Sequence, residues 1–189
     1  MTLDDRVRQL AAAGDGSAAA TEAIRALGPA VLGYLRGLVR DEGDATEAFS
    51  RWAEDVWRGL PAFRGEASLR TWAYRLAYHA ALGVMGGAWR QRARPFQEGE
   101  ASRLAETMRT ATAVRVDRQR VTLAELRAQL SDADRTLLAL RIDQQLSWEE
   151  IAEVMGDGPE PLDAPALRKR FERLKEKLTK LAKERGLVE

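Results

Sequence analysis

The chain has 189 residues, of which 45% are hydrophobic and 31% charged with a net charge of +1, so it can form one or two soluble domains with apolar cores. It contains no cysteine and a single histidine, His79, which excludes disulfides, thiolate catalysis, cysteine-based zinc or iron–sulfur sites and multi-histidine metal sites. No apolar run approaches the ~18 residues of a membrane-spanning helix, and residues 1–10 lack the apolar centre of a signal peptide, so we predict a cytoplasmic protein without a membrane span.

Helix-forming residues dominate the sequence. Ala, Leu, Arg and Glu are abundant, and the period-two alternation typical of half-buried strands is absent throughout. We therefore predict an all-α fold that opens with a helical region over about residues 18–89. Gly28-Pro29 is expected to bend or interrupt the first helix of this region, and Asp44 is expected to cap the second.

The end of this region combines a short loop with aromatic and basic side chains. Residues 62–67 form the loop, and Ser68 is predicted to cap the helix that follows. The side chains near the loop on that helix include Tyr74, Arg75, Tyr78 and His79. Rings and guanidinium planes suit stacking with unpaired bases. The alternative is packing in a helical core, which we expect for Trp52 and Trp72.

Residues 90–120 differ in character from the segments on either side. They are polar, and their apolar residues are sparse and out of helical phase except near residues 104–108. We predict a polar linker here, which divides the chain into one helical domain over residues 1–89 and a second over residues 121–189.

The second domain is predicted to contain a helix-turn-helix. Ser131 opens one helix, and Ser147 with Glu150 forms a capping box that opens a short helix. A loop over residues 156–164 then leads to a long helix that begins near Asp163 and Pro165. A short capped helix followed by a long one is typical of DNA-binding helix-turn-helix units.

The long helix carries most of a basic block. Residues 166–185 hold nine basic residues against three glutamates, whereas residues 131–165 hold nine acidic residues against two arginines. At 100° per residue, five side chains lie opposite the apolar stripe of the helix: Arg168, Lys169, Glu172, Arg173 and Glu176. Such a face is typical of a surface that meets phosphates and base edges, or of a solvated helix face.

Two motifs resemble one protein family. Residues 63–77 read FRGEASLRTWAYRLA and resemble region 2 of the extracytoplasmic-function (ECF) sigma factors of bacterial RNA polymerase. Residues 146–156 read LSWEEIAEVMG and resemble the helix-turn-helix of region 4 in the same family. The motifs occur in the family's order, separated by a polar linker, in a chain of the family's length.

The resemblance implies two helical domains and a role in promoter-specific transcription initiation. It implies that the chain binds core RNA polymerase, at the clamp helices of the largest subunit and the flap of the second largest, and promoter DNA at the −35 and −10 elements. An anti-sigma factor is a further candidate partner. No cofactor, metal or catalytic residue is implied.

The resemblance also assigns three groups of residues. Polymerase core binding is assigned to Asp44, Glu47, Ser50, Arg51, Glu54, Asp55 and Trp57. Capture of the −10 strand is assigned to Phe63, Arg64, Gly65, Glu66, Ser68, Arg70, Thr71, Arg75, Tyr78 and His79. Recognition of the −35 element is assigned to Ser147, Trp148, Arg168, Lys169, Arg170, Glu172, Arg173 and Lys175.

Two other functions remain open from the residues alone. A helix-turn-helix regulator could bind duplex DNA without being a polymerase subunit. A helical enzyme could use His79 as a base, although no nucleophile motif accompanies this residue. Copurification of polymerase subunits distinguishes the sigma factor from the regulator.

Overall fold

The computed structural model describes residues 1–39, 41–86, 125–158 and 162–184, and every regular element in these ranges is helical. The chain divides into two compact units, residues 1–114 and 115–189. The all-α prediction is confirmed. The predicted linker over residues 90–120 lies outside the described residues, so its boundaries remain a prediction.

The described residues of the first unit form four α-helices: α1 (Leu3–Ala12), α2 (Gly16–Leu38), α3 (Glu42–Gly59) and α4 (Leu69–Met85). A short 3₁₀ turn, Leu60–Ala62, follows α3. α3 packs against both α2 and α4, and α1 packs along α2. The core of this unit therefore lies where α2, α3 and α4 meet.

Aromatic side chains fill this core. Trp52 is fully buried, stacks on Phe49 with ring centroids 5.2 Å apart, and donates its indole N–H to the Ala73 carbonyl oxygen at 3.0 Å. Tyr34 of α2 meets Tyr74 of α4 edge to face at 5.4 Å. The indole hydrogen bond satisfies the one polar group of a large buried ring, so α3 is held on α4 in one register.

Two details of the first unit differ from the sequence-based expectations. The interruption predicted at Gly28-Pro29 is wrong, because α2 continues through Pro29. Pro29 and Arg25 are exposed, so the carbonyl that the proline leaves without a donor faces water. The cap predicted at Asp44 is also wrong: the Asp41 carboxylate caps α3 by accepting from the N–H groups of Gly43 (2.8 Å) and Asp44 (3.2 Å).

In the described part of the second unit, three α-helices and a short helical segment surround a smaller core. Residues 125–128 are helical, and α5 (Asp132–Leu138) continues into a π-helical turn over Ala139–Asp143. α6 (Trp148–Met155) and α5 both pack against α7 (Ala164–Glu184). The core side chains with no exposed surface include Leu137, Leu140, Leu146, Ile151, Val154 and Leu167.

The helix starts predicted for this unit are confirmed. The Ser131 hydroxyl accepts from the Asp134 N–H at 3.2 Å. Ser147 and Glu150 form the reciprocal capping box, with the hydroxyl accepting at 3.1 Å and the carboxylate accepting from the Ser147 N–H at 2.7 Å. Of the described helices, none combines the length and apolar character that crossing a membrane requires.

Candidate nucleic-acid interface

An exposed loop precedes α4. Arg64, Gly65 and Glu66 form its tip, and all three are exposed. Gly65 adopts a left-handed φ of 75°, which strains any residue with a Cβ atom, although open space surrounds the position. We refer to these three residues together with the exposed Arg70 as the loop surface.

Aromatic packing fixes the first end of the loop. The Phe63 ring lies against the Trp72 ring, with centroids 5.1 Å apart. The Trp72 ring also lies close on the backbone of Gly59, where an added Cβ would come within 3.1 Å of it. The sequence predicted that Trp72 lies in the core. It is half-buried, and its ring contacts the loop through Phe63.

Hydrogen bonds fix the second end of the loop. The Ser68 hydroxyl accepts from the Thr71 N–H at 3.0 Å, as predicted for a cap, and hydrogen-bonds to the Thr71 hydroxyl at 2.8 Å. The Asp4 carboxylate, from α1, accepts from the Leu69 N–H at 3.0 Å. The loop tip is therefore exposed while both of its ends are held.

Some side chains assigned to −10 capture lie in the core instead. Thr71 and Tyr78 are 1% and 3% exposed, and Tyr74 is 1% exposed. Burial raises the pKa of Tyr74 to about 12, although the nearby Arg70 guanidinium lowers it. The expectation that the Tyr74 and Tyr78 rings stack on bases is wrong, because both rings are buried and Tyr74 lies against Tyr34 of α2. The Thr71 side chain hydrogen-bonds to Ser68 at the start of α4.

The remaining assigned residues of α4 lie on its outer side. Arg70 is exposed, and its guanidinium lies 5.8 Å from the centre of the Tyr74 ring. Arg75 and His79 are half-buried. Burial lowers the pKa of His79 below its usual 6.5, and the charge of Arg75 lowers it further, so the imidazole is neutral near pH 7.

The outer side of α3 carries the residues assigned to polymerase binding. We call this set the α3 face, and all of its members are half-buried: Asp44, Glu47, Ser50, Arg51, Glu54, Asp55 and Trp57. Arg51 and Asp55 approach to 3.9 Å, and Glu54 pairs with Arg58 one turn further on. Burial raises the pKa of Asp55 despite the opposing effect of Arg51. The Ser50 hydroxyl donates to the Thr46 carbonyl oxygen at 3.0 Å.

The exposed side of α7 carries most of the residues assigned to −35 recognition. We call this set the α7 face, and all of its members are exposed: Arg168, Lys169, Glu172, Arg173 and Lys175. Arg168 pairs with Glu149 of α6 at 3.4 Å, and Lys175 pairs with Glu172 at 2.7 Å. The orientation away from the Leu167–Phe171–Leu174 stripe is confirmed for the five residues for which it was predicted, because the stripe is buried and these side chains are exposed: Arg168, Lys169, Glu172, Arg173 and Glu176.

Arg170 differs from its neighbours on α7. Its guanidinium Nε lies 2.7 Å from the Asp134 carboxylate of α5, and the two side chains are only 20% and 18% exposed. Burial acts to raise the pKa of Asp134, but hydrogen bonds from Arg170 and Ser131 and the nearby positive charges lower it overall. Arg170 therefore ties α7 to α5, and it is not a member of the α7 face.

Ser147 and Trp148 are also engaged within the second unit. The Ser147 hydroxyl belongs to the capping box of α6. The Trp148 ring lies between the Phe171 ring, 5.4 Å away, and the Arg141 guanidinium, 4.6 Å away. Both side chains are half-buried, and the Trp148 ring holds α6 against α7 and the π-helical turn.

One side of α7 is more basic than the other. Lys169, Arg173 and Lys177 follow one another at four-residue intervals and line an open cleft of about 460 Å³ beside the Asp134–Arg170 pair. On the other side, cations alternate with the carboxylates of Glu172 and Glu176. The row of three cations gives the cleft side of α7 the stronger positive field.

Sequence reasoning missed two structural contributions. It assigned no helix to residues 3–12, although Thr2 and Asp5 form a capping box whose spacing is visible in the sequence. It also missed Arg135, a 4% exposed residue of α5 that pairs with Asp132 and whose Nε has no hydrogen-bond partner among the described residues. The first signal could have been found, whereas burial of an arginine cannot be read from its spacing.

Comparison with known proteins finds a family that matches part of the first unit. Residues 23–94 match the protein family described as sigma-70 region 2. The chain is 34% identical over 131 residues to RNA polymerase sigma factor YlaC of Bacillus subtilis (strain 168). The matched segment covers 67% of this chain and 72% of that protein. It is 29% identical over 136 residues to the RNA polymerase sigma-H factor of Pseudomonas aeruginosa. This matched segment covers 66% of this chain and 68% of that protein.

Proposed function

The chain belongs to the ECF sigma factors of bacterial RNA polymerase, and from this membership we propose a division of labour among the loop surface, the α3 face and the α7 face. The protein acts in transcription initiation, and core RNA polymerase and promoter DNA are its partners. We propose that the first unit binds core polymerase and the opened −10 strand, and that the second unit reads the −35 duplex.

The loop surface is the proposed site of −10 strand capture. The observation that carries the proposal is an exposed tip, Arg64–Glu66, held at both ends by Phe63–Trp72 packing and by the capped start of α4. A loop whose ends are fixed binds a flipped base without first losing much conformational freedom. Arg70 stands beside the tip and supplies a cation for the strand's phosphate backbone.

The α3 face is the proposed contact with the clamp helices of the largest polymerase subunit. It presents two acidic groups, Glu54 and Asp55, beside two arginines, Arg51 and Arg58, on a helix whose other side is buried. Mixed charges of this kind select partner and orientation by electrostatic complementarity. The flap of the second largest subunit and an anti-sigma factor are further proposed partners.

The α7 face is the proposed reader of the −35 element. Its N-terminal half carries Arg168, Lys169 and Arg173 on the exposed side, the half of a recognition helix that enters the major groove. An arginine can bond the edge of a guanine through two hydrogen bonds, and a lysine mostly contacts phosphate. The cleft side with Lys177 extends the cationic row toward the DNA backbone.

Reconstituted transcription tests the proposal. The full chain is mixed with cognate core polymerase and a library of host genomic fragments, and the start sites are sequenced. We expect specific start sites that disappear when the chain is omitted. If the chain does not copurify with core polymerase but binds duplex DNA, the protein is instead a helix-turn-helix regulator.

A further inference from the structure

The contact between Asp4 and Leu69 joins α1 to the start of α4 across 65 residues of sequence. We propose that Asp4 is a positioning residue for −10 strand capture, acting through the first turn of α4; this inference rests on the proposed role of the loop surface. Asp4 lies outside residues 23–94, the range that matches sigma-70 region 2.

The first turn of α4 needs acceptors for its N–H groups. The first four N–H groups of a helix have no partner within it, and the Ser68 hydroxyl takes only that of Thr71. The Asp4 carboxylate takes the N–H of Leu69, a residue with no exposed surface. Two acceptors, one local and one from α1, thus fix the direction in which α4 leaves the loop.

α1 is anchored firmly enough to fix this position. Its own start is closed by the Thr2–Asp5 capping box, and Val7 is 2% exposed against α2. The Arg6 Nε lies 2.9 Å from the Glu22 carboxylate of α2. The Asp4 carboxylate is therefore held by a helix that is itself tied to α2.

The loop surface depends on this anchor through its geometry. Only Gly65, Glu66 and Ala67 and the cap residue Ser68 separate the exposed Arg64 from Leu69. Arg70 follows Leu69 directly and belongs to the loop surface. A change in how the first turn of α4 is held therefore moves Arg70 and the second end of the loop, while α3 and the second unit keep their own contacts.

The test uses the full chain assembled with core polymerase, and a fork-junction DNA taken from the strongest promoter found by reconstituted transcription. Asp4→Ala is expected to weaken binding of the opened −10 strand about three- to tenfold, which corresponds to loss of one net hydrogen bond. It is also expected to flatten the base preference at the captured position. Asp4→Asn keeps an acceptor oxygen and is expected to restore binding to within about threefold of the wild type.

The matched control is Gln9→Ala. It shortens an exposed side chain of the same helix and leaves the Thr2–Asp5 capping box in place, so strand capture should stay within about twofold of the wild type. Binding to core polymerase and to the −35 duplex should stay unchanged in all three variants. Amide hydrogen exchange at Leu69 should accelerate in Asp4→Ala and stay protected in Asp4→Asn.

The outcomes separate this inference from the proposed function. If the wild-type holoenzyme fails to bind the opened strand, the proposed role of the loop surface is wrong. If it binds and Asp4→Ala binds as well or more tightly, with unchanged base preference, the positioning role is wrong. An equal loss in Gln9→Ala also overturns it, since the effect would then follow from any substitution in α1. If Asp4→Ala does not fold, equal capture by Asp4→Asn and Asp4→Glu overturns the proposal, because the longer side chain displaces the acceptor.

Discussion

The loop surface and the α7 face are held in place by different kinds of contact. Behind the loop surface lie buried rings and hydrogen bonds to backbone groups, such as the Trp52 indole on the Ala73 carbonyl. Behind the α7 face lie ion pairs and a ring–guanidinium contact, such as Arg170 with Asp134 and Arg141 with Trp148. The first unit should therefore respond mainly to loss of apolar volume, and the second mainly to charge, salt and acid.

Trp52→Ala should give the largest effect and confine it to the first unit. The substitution leaves a cavity among α3 and α4 and costs about 3–5 kcal/mol of unfolding free energy. Hydrogen exchange of core amides should show the first unit opening while the second stays protected. Trp57→Ala, at a half-buried position of the same helix, should cost about 1 kcal/mol. Equal losses of unfolding free energy in Trp52→Ala and Trp57→Ala would contradict a core that depends on the buried Trp52 ring.

Arg170→Ala should be the most damaging charge deletion in the second unit. It leaves the Asp134 carboxylate, 18% exposed, without its closest cation, and should cost about 1–3 kcal/mol. The matched variant Arg168→Ala breaks an exposed pair with Glu149 and should cost less than about 1 kcal/mol. Urea unfolding followed at the second unit measures both. A larger stability loss for Arg168→Ala would reverse the assignment of the two arginines.

Single alanine variants of Arg168, Lys169 and Arg173 should separate base reading from phosphate binding. Removing an arginine that bonds a guanine should cost about 1–3 kcal/mol of binding free energy and relax the base preference at one −35 position. Removing a lysine that contacts phosphate should weaken binding to all sequences alike and reduce the slope of log affinity against log salt concentration by about one. Lys183→Ala, near the far end of α7, is the control. If none of the three variants changes preference in a promoter-variant library, α7 is not the reader.

Reversing Glu54 and Asp55 to arginine should weaken core polymerase binding about three- to tenfold, because two attractive contacts become repulsive. Helix content should stay unchanged, since the buried side of α3 is not altered. The control reverses two exposed acids of the second unit, Glu153 and Asp157. Pull-down of core polymerase measures both pairs. Unchanged binding in the first pair would remove the α3 face from the polymerase interface.

Acid should produce the smallest effect, with opposite signs in the two units. The pKa of Asp134 is lowered on folding, so its ionised carboxylate stabilises the second unit fully above the usual pKa of 3.8. This stabilisation is lost as the pH falls through the lower folded pKa. The pKa of Asp55 is raised, so its burial penalty is present above the folded pKa and is relieved as pH falls toward 3.8. Asp134→Asn and Asp55→Asn should each remove one of these pH dependences, as measured by the unfolding of each unit between about pH 6 and pH 3.

Local signals were the most predictable part of the structure. The caps at Ser68, Ser131 and Ser147 followed from side chains that bond N–H groups within three residues, so short sequence windows contained the whole interaction. The cap of α3 failed for a related reason. Asp41 and Asp44 are both capable caps, and only the path of the backbone decides between them.

Long-range contacts were less predictable. The basic face of α7 was visible as a helical pattern, but the distinction between Arg170 and Arg168 depends on α5, which brings Asp134 to one and not to the other. The interleaving of Tyr78 with arginines suggested base stacking, yet α4 directs this ring into the core. Sequence spacing identifies which residues share a face and leaves open what each face meets.

The Asp4–Leu69 hydrogen bond also has a consequence for the timing of synthesis. α1 is made before the rest of the first unit, and its helical contact with α2 forms from nearby sequence, as in the Arg6–Glu22 pair. At chain-growth rates of about 5–20 residues per second, the chain takes roughly 3–13 seconds to grow by the 65 positions from Asp4 to Leu69. During that interval the Asp4 carboxylate has no Leu69 N–H to accept from, so the second end of the loop gains this acceptor only after the start of α4 has been made.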